Sequence, residues 1–266
     1  MTYFTFLGYF LVIPIIVLGI VALVDRRRGV LLPATLQAWP AWAAILLHVF
    51  IAVLYTTVWD NYLVATQVWW YDPELVTGIT LGWVPIEEYT FFILQPILAG
   101  LWLIFWARRL TRPISPGDLI SSLRVAGPIL LGVLWLASAV FLVTGWQPGT
   151  YLALELVWAL PPIGLQLAFG ADILWRYRRL VSLVIISLTL YLSASDALAI
   201  TLGTWTINPE KSLDFLIAGL LPIEEFLFFL LTNTLITFGI VLVISEESYA
   251  RFGSIRLRLS KAGAGS

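Results

Sequence analysis

The chain has 266 residues, of which 60% are hydrophobic and 12% are charged, and its mean hydropathy is +0.94. Because an ordinary soluble domain carries about 25% charged residues, this composition indicates an integral membrane protein. The net charge of −1 is uninformative in a membrane protein, and nothing in the sequence suggests a nucleic-acid partner. The lack of cysteine excludes disulfides and thiolate metal sites. The single histidine, His48, cannot build a multi-histidine metal site, so we expect no bound metal.

Seven apolar runs are long enough to cross a bilayer core of ~30 Å. In chain order they occupy roughly 3–24, 41–60, 79–106, 123–144, 150–172, 181–203 and 214–244. The first run is too long, and too soon followed by further runs, to be a removed signal peptide. The sequence therefore predicts an all-α protein with seven transmembrane helices, embedded as a multi-pass protein in the lipid bilayer of the cell membrane.

Basic residues mark one side of the predicted bundle. Clusters follow the first, third, fifth and seventh spans: Arg26, Arg27 and Arg28; Arg108, Arg109 and Arg112; Arg176, Arg178 and Arg179; Arg251, Arg256, Arg258 and Lys261. The alternate loops carry acidic residues, namely Asp72, Glu74, Glu210 and Asp214. Because cytoplasmic loops are enriched in arginine and lysine, we expect the N-terminus outside and the C-terminus inside.

The chain contains an internal repeat. Asp60 and Asp196 are 136 positions apart, and the stretch PIEE at 85–88 recurs at 222–225. The second and third spans thus match the sixth and seventh, whereas the first spans align poorly. An odd helix between the two units restores the starting side, which predicts a parallel 3+1+3 repeat. The expected parts are a first repeat at 1–110, a linker with connecting helix at 111–148, a second repeat at 149–245 and a basic tail at 246–266. The seam between the halves is expected at 110–118, which is rich in proline.

Each repeat carries two adjacent glutamates inside an apolar run, PIEEYTFF at 85–92 and PIEEFLFF at 222–229. Carboxylates are costly within a membrane and usually functional there. The candidate catalytic acids and bases are therefore Glu87, Glu88, Glu224 and Glu225. We expect them about two turns inside their helices, where neighbours point about 100° apart, so that one of each pair faces a central cavity. Pro85 and Pro222 are expected to free a backbone carbonyl near the acids.

Aromatic residues accompany the acids. The candidates for stabilising a cation are Phe91, Phe92, Phe228, Phe229, Trp59, Tyr89 and Trp83. Acids beside ring faces in a dry cavity suit protonation of an alkene, passage through a carbocation and loss of a proton. Candidate supporting residues are Asp60, Asn61 and Asp196, for which helix capping is an equally good interpretation. Interfacial placement explains Glu155 and Asp172, and helix packing explains His48.

These motifs resemble a known family. The doubled PIEE motif, WDNYLV at 59–64, VWWYD at 68–72 and the duplicated seven-span layout resemble the membrane-integral lycopene cyclases, in the form that fuses two three-span units. The resemblance implies conversion of the ψ-ends of lycopene to β-ionone rings, first γ-carotene and then β-carotene, without net redox change. It implies lycopene and other acyclic carotenoids as substrates, and Glu87, Glu88, Glu224 and Glu225 as the essential acids. Association with other enzymes of the carotenoid pathway stays open.

No cofactor is expected, since no G-x-G-x-x-G fingerprint follows any plausible strand. Alternatives within enzymes are a carotenoid hydratase and a cyclase that makes ε- or γ-rings. A small-solute transporter with 3+1+3 repeats is the alternative from another class of protein. Against a transporter, the spans offer few amide or hydroxyl groups that could bind a polar solute, and Gln95 and Asn233 are the exceptions. A retinal protein is disfavoured because the seventh span has no lysine. The sequence leaves open which glutamate is the acid, whether one or two sites exist, and the oligomeric state.

Overall fold

The computed structural model describes residues 1–110 and 122–263, and within these ranges the chain is mostly helical. Seven helices are long and apolar enough to cross a membrane: α1 (Tyr3–Arg27), α2 (Ala41–Ala65), α3 (Ile86–Ala107), α4 (Leu123–Thr144), α5 (Thr150–Arg176), α6 (Arg178–Thr201) and α7 (Ile223–Ile244). This confirms the predicted multi-pass membrane protein. A further helix, α8 (Glu246–Gly263), forms most of the basic tail. Arg112 and residues 111–118 of the expected seam lie outside the described ranges.

Short strands connect the helices at one end of the bundle. Strand β1 (Trp69–Tyr71) pairs with β4 (Trp205–Ile207), β2 (Thr80–Leu81) with β3 (Val84–Pro85), and β5 (Leu216–Ile217) with β6 (Leu221–Pro222), all antiparallel. The β1–β4 register places Trp69 opposite Ile207, Trp70 opposite Thr206 and Tyr71 opposite Trp205. The central pair of this register, Trp70 with Thr206, has the same spacing of 136 positions as Asp60 and Asp196. The strands that link α2 to α3 and α6 to α7 therefore meet in equivalent positions.

The third and seventh helices begin later than the sequence predicted. Their expected starts were residues 79 and 214, but the helices begin at Ile86 and Ile223. The apolar residues before each start form the hairpins β2–β3 and β5–β6 instead of further helical turns. Gly82 (φ +71°) and Gly219 (φ +72°) adopt the left-handed conformation in which glycine reverses a chain without steric cost.

The late starts move the paired glutamates. All four lie in the first turn of their helices rather than two turns inside, so the predicted depth was wrong. Pro85 and Pro222 precede the helices, where a proline removes no helical hydrogen bond, and they pair in the hairpins. The expected free carbonyls one turn before the acids are therefore not a feature of this fold.

Helices α3 and α7 form the centre of the bundle. Buried residues make up 56% and 61% of their most apolar stretches, compared with 6% for α4. Helix α3 packs against α1, α2, α6 and α7, and α7 packs against α2, α5 and α6, whereas α4 packs mainly against α5. The two helices that carry the acid motifs are thus the most enclosed of the seven.

The opposite end of the bundle is held by ion pairs. Asp25, at the end of α1, lies 3.4 Å from Arg108 and 3.0 Å from Arg109, which follow α3. Asp172 of α5 pairs with Arg251 of α8, so this acid has a structural partner rather than a merely interfacial position. The basic residues that follow α1, α3 and α5 therefore collect at one end of the bundle.

Candidate active site

Glu88 of α3 and Glu225 of α7 line the same central cavity, which contains about 460 Å³ of empty space. The other lining residues come from both ends of the sequence and are mostly aromatic: Tyr3, Phe6, Trp69, Tyr71, Phe91, Tyr151, Asp196, Trp205, Ile207, Phe228 and Phe229. The first turns of α1 and α5 supply tyrosines, and the β1–β4 sheet supplies its inward side chains. The cavity therefore combines three carboxyl groups, those of Glu88, Glu225 and Asp196, with tyrosine hydroxyls and aromatic ring faces.

Glu88 is held by two phenol groups. Its Oε2 accepts hydrogen bonds from the hydroxyls of Tyr3 at 2.5 Å and Tyr71 at 3.0 Å. The Tyr71 hydroxyl in turn accepts a hydrogen bond from Trp69 Nε1 at 3.1 Å. Tyr71 lies between the spans, where burial raises the pKa of its phenol well above the usual value and the nearby carboxyl groups of Asp60 and Glu88 raise it further. The phenol therefore stays an O–H donor at neutral pH.

Glu225 is held by one phenol group. Its Oε1 accepts a hydrogen bond from the Tyr151 hydroxyl at 2.7 Å. Glu155, one turn further along α5, is completely buried and interacts electrostatically with Glu225. The interfacial placement that the sequence suggested for Glu155 is therefore wrong, because α5 extends beyond it toward the strands and packs against α7.

Two buried aspartates accompany the glutamates. Asp196 of α6 lines the cavity, and its Oδ1 accepts a hydrogen bond from Trp205 Nε1 at 3.0 Å. Asp60 of α2 is 1% exposed, and its two carboxyl oxygens have no hydrogen-bond partner within the described ranges. Both are interior residues, so capping at the membrane surface does not explain them. In the same part of the chain, no three His, Cys, Asp or Glu side chains converge as metal ligands would.

The other member of each glutamate pair faces the loop before its helix. Glu87 Oε1 accepts a hydrogen bond from the backbone N–H of Thr77, and Glu224 Oε1 accepts one from Leu213, each at 2.7 Å. Acidic groups in the first turn also interact favourably with the positive end of the helix. The expected division, with one glutamate toward the cavity and its neighbour turned away, is what the structure shows.

The candidate phenylalanines divide between two cavities. Phe91, Phe228 and Phe229 line the central cavity, and the rings of Phe91 and Phe229 lie 6.3 Å apart at 74°. Phe92 lines a second cavity beside it, which also contains Phe228. Trp59 stacks between Phe228, at 6.0 Å, and Trp158, at 4.5 Å. Phe228, which both cavities share, therefore lies at their junction, with Trp59 stacked on it.

Three other candidates lie away from the acids. The Tyr89 hydroxyl donates to Leu81 O at 2.8 Å and accepts from Asn61 Nδ2 at 2.9 Å. Asn61 Oδ1 accepts from the backbone N–H of Trp83, whose side chain is 67% exposed. A Cβ at Gly82 would come within 2.2 Å of Asn61 Oδ1. These residues hold the β2–β3 hairpin and do not line the central cavity.

Tyr3 and Tyr151 are among the functional candidates that sequence reasoning missed, together with Tyr71 and Glu155. Tyr3 and Tyr151 are 148 positions apart, as are Pro14 and Pro162, whereas the rest of the repeat has a spacing of 136 or 137. Because the first spans have a different spacing, the two tyrosines do not align when one offset is used throughout. The proline pair was the signal that could have revealed them.

Equivalent hydrogen bonds recur with these two spacings. The Tyr55 hydroxyl donates to Trp158 O at 2.8 Å, and the Tyr191 hydroxyl donates to Phe10 O at 3.0 Å. Tyr55 and Tyr191 are 136 positions apart, and Phe10 and Trp158 are 148 apart. The contacts of α2 with α5 therefore correspond to those of α6 with α1.

Comparisons with known proteins agree with this geometry. A family model described as lycopene cyclase matches residues 10–106 and 148–244, and each range contains one acid motif. A lycopene beta-cyclase of Halobacterium salinarum is 36% identical over 249 residues, covering 91% of this chain and 95% of that protein. The bifunctional lycopene cyclase/phytoene synthases of Podospora anserina and Colletotrichum graminicola are 35% and 38% identical over 72% of this chain. The matched segment spans about a third of the length of each of these two proteins. No solved structure matches. With both motif helices inside the matched ranges, the chain belongs to the lycopene cyclase family.

Proposed function

We propose that the chain converts the ψ-ends of lycopene to β-ionone rings by acid–base catalysis between Glu88 and Glu225. Membership of the family makes the chain an enzyme that cyclises lycopene. The β-ring type is supported by the name of the Halobacterium relative. The assignment of the active site depends on one observation: Glu88 and Glu225 line the same aromatic cavity, and each accepts a hydrogen bond from a tyrosine hydroxyl.

The reaction requires one proton to enter and one to leave. A carboxyl group donates a proton to the terminal double bond of a ψ-end, which leaves a tertiary carbocation. The electron pair of an internal double bond then forms the ring C–C bond, and the positive charge moves to a ring carbon. A carboxylate removes a proton from the neighbouring carbon, and that C–H electron pair becomes the ring double bond. The product is an isomer of the substrate, and the two carboxyl groups reset when the proton returns from base to acid.

The hydrogen bonds favour different roles for the two acids. Glu88 accepts two phenol O–H bonds, which stabilise a carboxylate, so we assign it as the base that removes the ring proton. Glu225 accepts one phenol O–H bond and also lies against the carboxyl group of Asp196, with which it can share a proton, so we assign it as the acid. Glu87 and Glu224 hold the loops and position their neighbours.

The rings that line the cavity suit the intermediate. A ring face stabilises a nearby desolvated cation by about 2 kcal/mol or more. Phe91, Phe228 and Phe229 line the cavity beside the acids, and Trp59 stacks on Phe228. An apolar surround also keeps water away from the cation, which favours loss of a proton over capture by water and so favours a cyclase over a hydratase.

We further propose that the spans form a parallel 3+1+3 repeat in the cell membrane, with the N-terminus outside and the C-terminus inside. Support comes from the symmetric register of β1 with β4 and from the matched hydrogen bonds of Tyr55 and Tyr191. The basic residues gathered at one end of the bundle agree with a cytoplasmic position for that end. The two acids then occupy equivalent positions on either side of one cavity.

Expression in a host that accumulates lycopene, followed by pigment analysis, tests the site. We expect cyclic carotenoids from the wild type, and losses of about 10²–10⁴-fold in turnover for Glu88→Gln and Glu225→Gln. Glu74→Gln, in an exposed loop, is the matched control and should behave as the wild type. Full activity of both cavity variants would show that the acids are elsewhere, and hydroxylated acyclic products from the wild type would identify a hydratase.

A further inference from the structure

A long apolar groove leads away from the central cavity between α2 and α5. Its inner part contains about 790 Å³ of empty space and shares Phe228 with the central cavity. Its outer part contains about 1280 Å³ and shares His48, Ile51 and Gln166 with the inner part. The three spaces are therefore neighbours in a row, and their order runs from the acids to the far end of the bundle.

We propose that this groove holds the polyene chain of the substrate while one ψ-end occupies the central cavity. The proposal rests on the proposed function, because it assumes that the ring forms beside Glu88 and Glu225. It adds the position of the rest of the molecule, which the small central cavity leaves unassigned.

The dimensions of the groove fit a rod-like ligand. Helix α7 forms its floor from Phe228 to Leu242. Fourteen residue steps at a rise of 1.5 Å make this floor about 21 Å long. A conjugated polyene is stiff and extended, so it requires a straight path of this kind rather than a compact pocket.

The chemistry of the groove also fits a hydrocarbon. Three of the polar side chains along it already donate hydrogen bonds within the protein. Gln95 Nε2 donates to Thr232 Oγ1 at 2.9 Å, and Gln166 Nε2 donates to Leu235 O at 2.9 Å. The Tyr55 hydroxyl donates to Trp158 O. What remains facing the groove is largely apolar surface, which binds a hydrocarbon through exclusion of water and offers little to a polar solute.

The neck between groove and cavity is aromatic. Phe228 lines both spaces, and its ring is nearly parallel to that of Trp59, at 5°, which stacks in turn on Trp158. The Phe228 ring, supported by this stack, lies beside the end of the chain at which the cation forms.

The far end of the groove opens beside the C-terminal helix. Trp39, Tyr249 and Phe252 line this opening, and their side chains are 47%, 62% and 62% exposed. Exposed aromatic side chains of this kind prefer the membrane–water interface. The substrate therefore enters from the bilayer along this open side, and no aqueous route is needed for a molecule that is insoluble in water.

A pair of tryptophan substitutions on α2 tests the groove. Ile51 lines it and is 46% exposed, whereas Leu54, three residues later, is 66% exposed and lines neither part. Each substitution is made in a Glu225→Gln background, which removes the proposed proton donor, so that bound lycopene is not converted. The measurement is the amount of lycopene per protein that co-purifies in mild detergent from a lycopene-accumulating host.

We expect Ile51→Trp to reduce the retained lycopene by about tenfold, equivalent to about 1.4 kcal/mol, and Leu54→Trp to leave it unchanged. Leu165→Trp, on the opposite wall in α5, should reproduce the loss and guards against a local folding defect in α2. Equal retention by Ile51→Trp and Leu54→Trp would overturn the proposal. A fall in co-purified phospholipid with no change in retained lycopene would also overturn it, because the groove would then be a lipid site. Because binding is measured without turnover, failure of the groove is distinguishable from failure of the acid assignment.

Discussion

The surroundings of Glu88 and Glu225 share one contact and differ in another. Each acid accepts a hydrogen bond from a tyrosine at the start of a helix, Tyr3 for Glu88 and Tyr151 for Glu225. Glu88 has a second phenol donor in Tyr71, whereas the residue 136 positions after Tyr71 is Ile207, which has no hydroxyl group. Two identical motifs are therefore made chemically unequal by residues that lie outside them.

This inequality suits a reaction that needs an acid and a base together. If the surroundings were identical, two equal carboxyl groups would compete for one proton. A second donor on one side favours the carboxylate there and leaves the proton on the other side. Under the proposed mechanism, a small number of differences in the cavity lining would let two matched acids support one asymmetric reaction.

The largest expected effect separates the roles of the two acids by their products. Glu225→Gln removes the proton donor and should reduce all conversion of lycopene by about 10³-fold or more. Glu88→Gln retains the donor, so the residual turnover should include carotenoids with displaced ring double bonds or hydroxyl groups. Purified variants incubated with lycopene and analysed by chromatography and mass spectrometry provide the test. Displaced or hydroxylated products from Glu225→Gln instead would reverse the assignment.

Substitution of the tyrosines that donate to the two acids should also lower kcat unequally. Tyr151→Phe removes the one phenol that Glu225 accepts from and should lower kcat by about 10–100-fold, since hydrogen bonds to charged or ionisable groups contribute roughly 1.5–3 kcal/mol. Tyr3→Phe and Tyr71→Phe each leave Glu88 one donor and should cost only a few-fold. Tyr9→Phe, at an exposed position, serves as the control for assays in detergent. Equal losses for Tyr3→Phe and Tyr151→Phe would remove the distinction between the two sites.

Substitutions of Glu87 and Glu224, which face the loops, should have similar effects on stability, unlike substitutions of Glu88 and Glu225, which face the cavity. Glu87→Ala and Glu224→Ala each remove an acceptor of a 2.7 Å hydrogen bond from a loop and should destabilise the fold by about 1–3 kcal/mol. The corresponding Gln variants keep a carbonyl acceptor and should recover most of that stability. Thermal unfolding in detergent measures the effect. A loss of turnover in the Gln variants comparable to that of Glu88→Gln would place these residues in catalysis.

The smallest expected effect concerns the matched tyrosines far from the acids. Tyr55→Phe and Tyr191→Phe each remove one hydrogen bond to a backbone carbonyl and should destabilise by about 1 kcal/mol or less. Their exposures are similar, at 41% and 38%, so the two losses should agree within about 0.5 kcal/mol. Unequal losses of stability would show that the two hydrogen bonds match in geometry but not in free energy.

The sequence was sufficient for the seven helices, because hydrophobic length alone identifies a span. It also singled out the glutamate pairs, because charged residues are rare within spans, and their catalytic role stays a prediction. The starts of α3 and α7 were misplaced, since the strands of the hairpins before Ile86 and Ile223 are as apolar as a helix. Hydropathy does not distinguish a strand from a helical turn when both are apolar.

The members of the site that the sequence missed depend on contacts between distant segments. Tyr3 lies 85 positions from Glu88, and its partner role arises only when α1 packs beside α3. Glu155 was placed at the membrane surface because its distance from the start of the hydrophobic run was taken as depth. The packing of α5 against α7 buries it instead, and no local pattern in the sequence records that packing.

The β1–β4 sheet has a consequence for the outcome of each turnover. Trp69, Tyr71, Trp205 and Ile207 all belong to this sheet and line the cavity, so three backbone pairs lie between the acids and the loops outside. A carbocation partitions between loss of a proton and addition of water according to which reactant reaches it first. In the proposed mechanism the sheet keeps water out for the lifetime of the cation, so we expect the hydrogen bonds between its strands to influence the ratio of ring to alcohol.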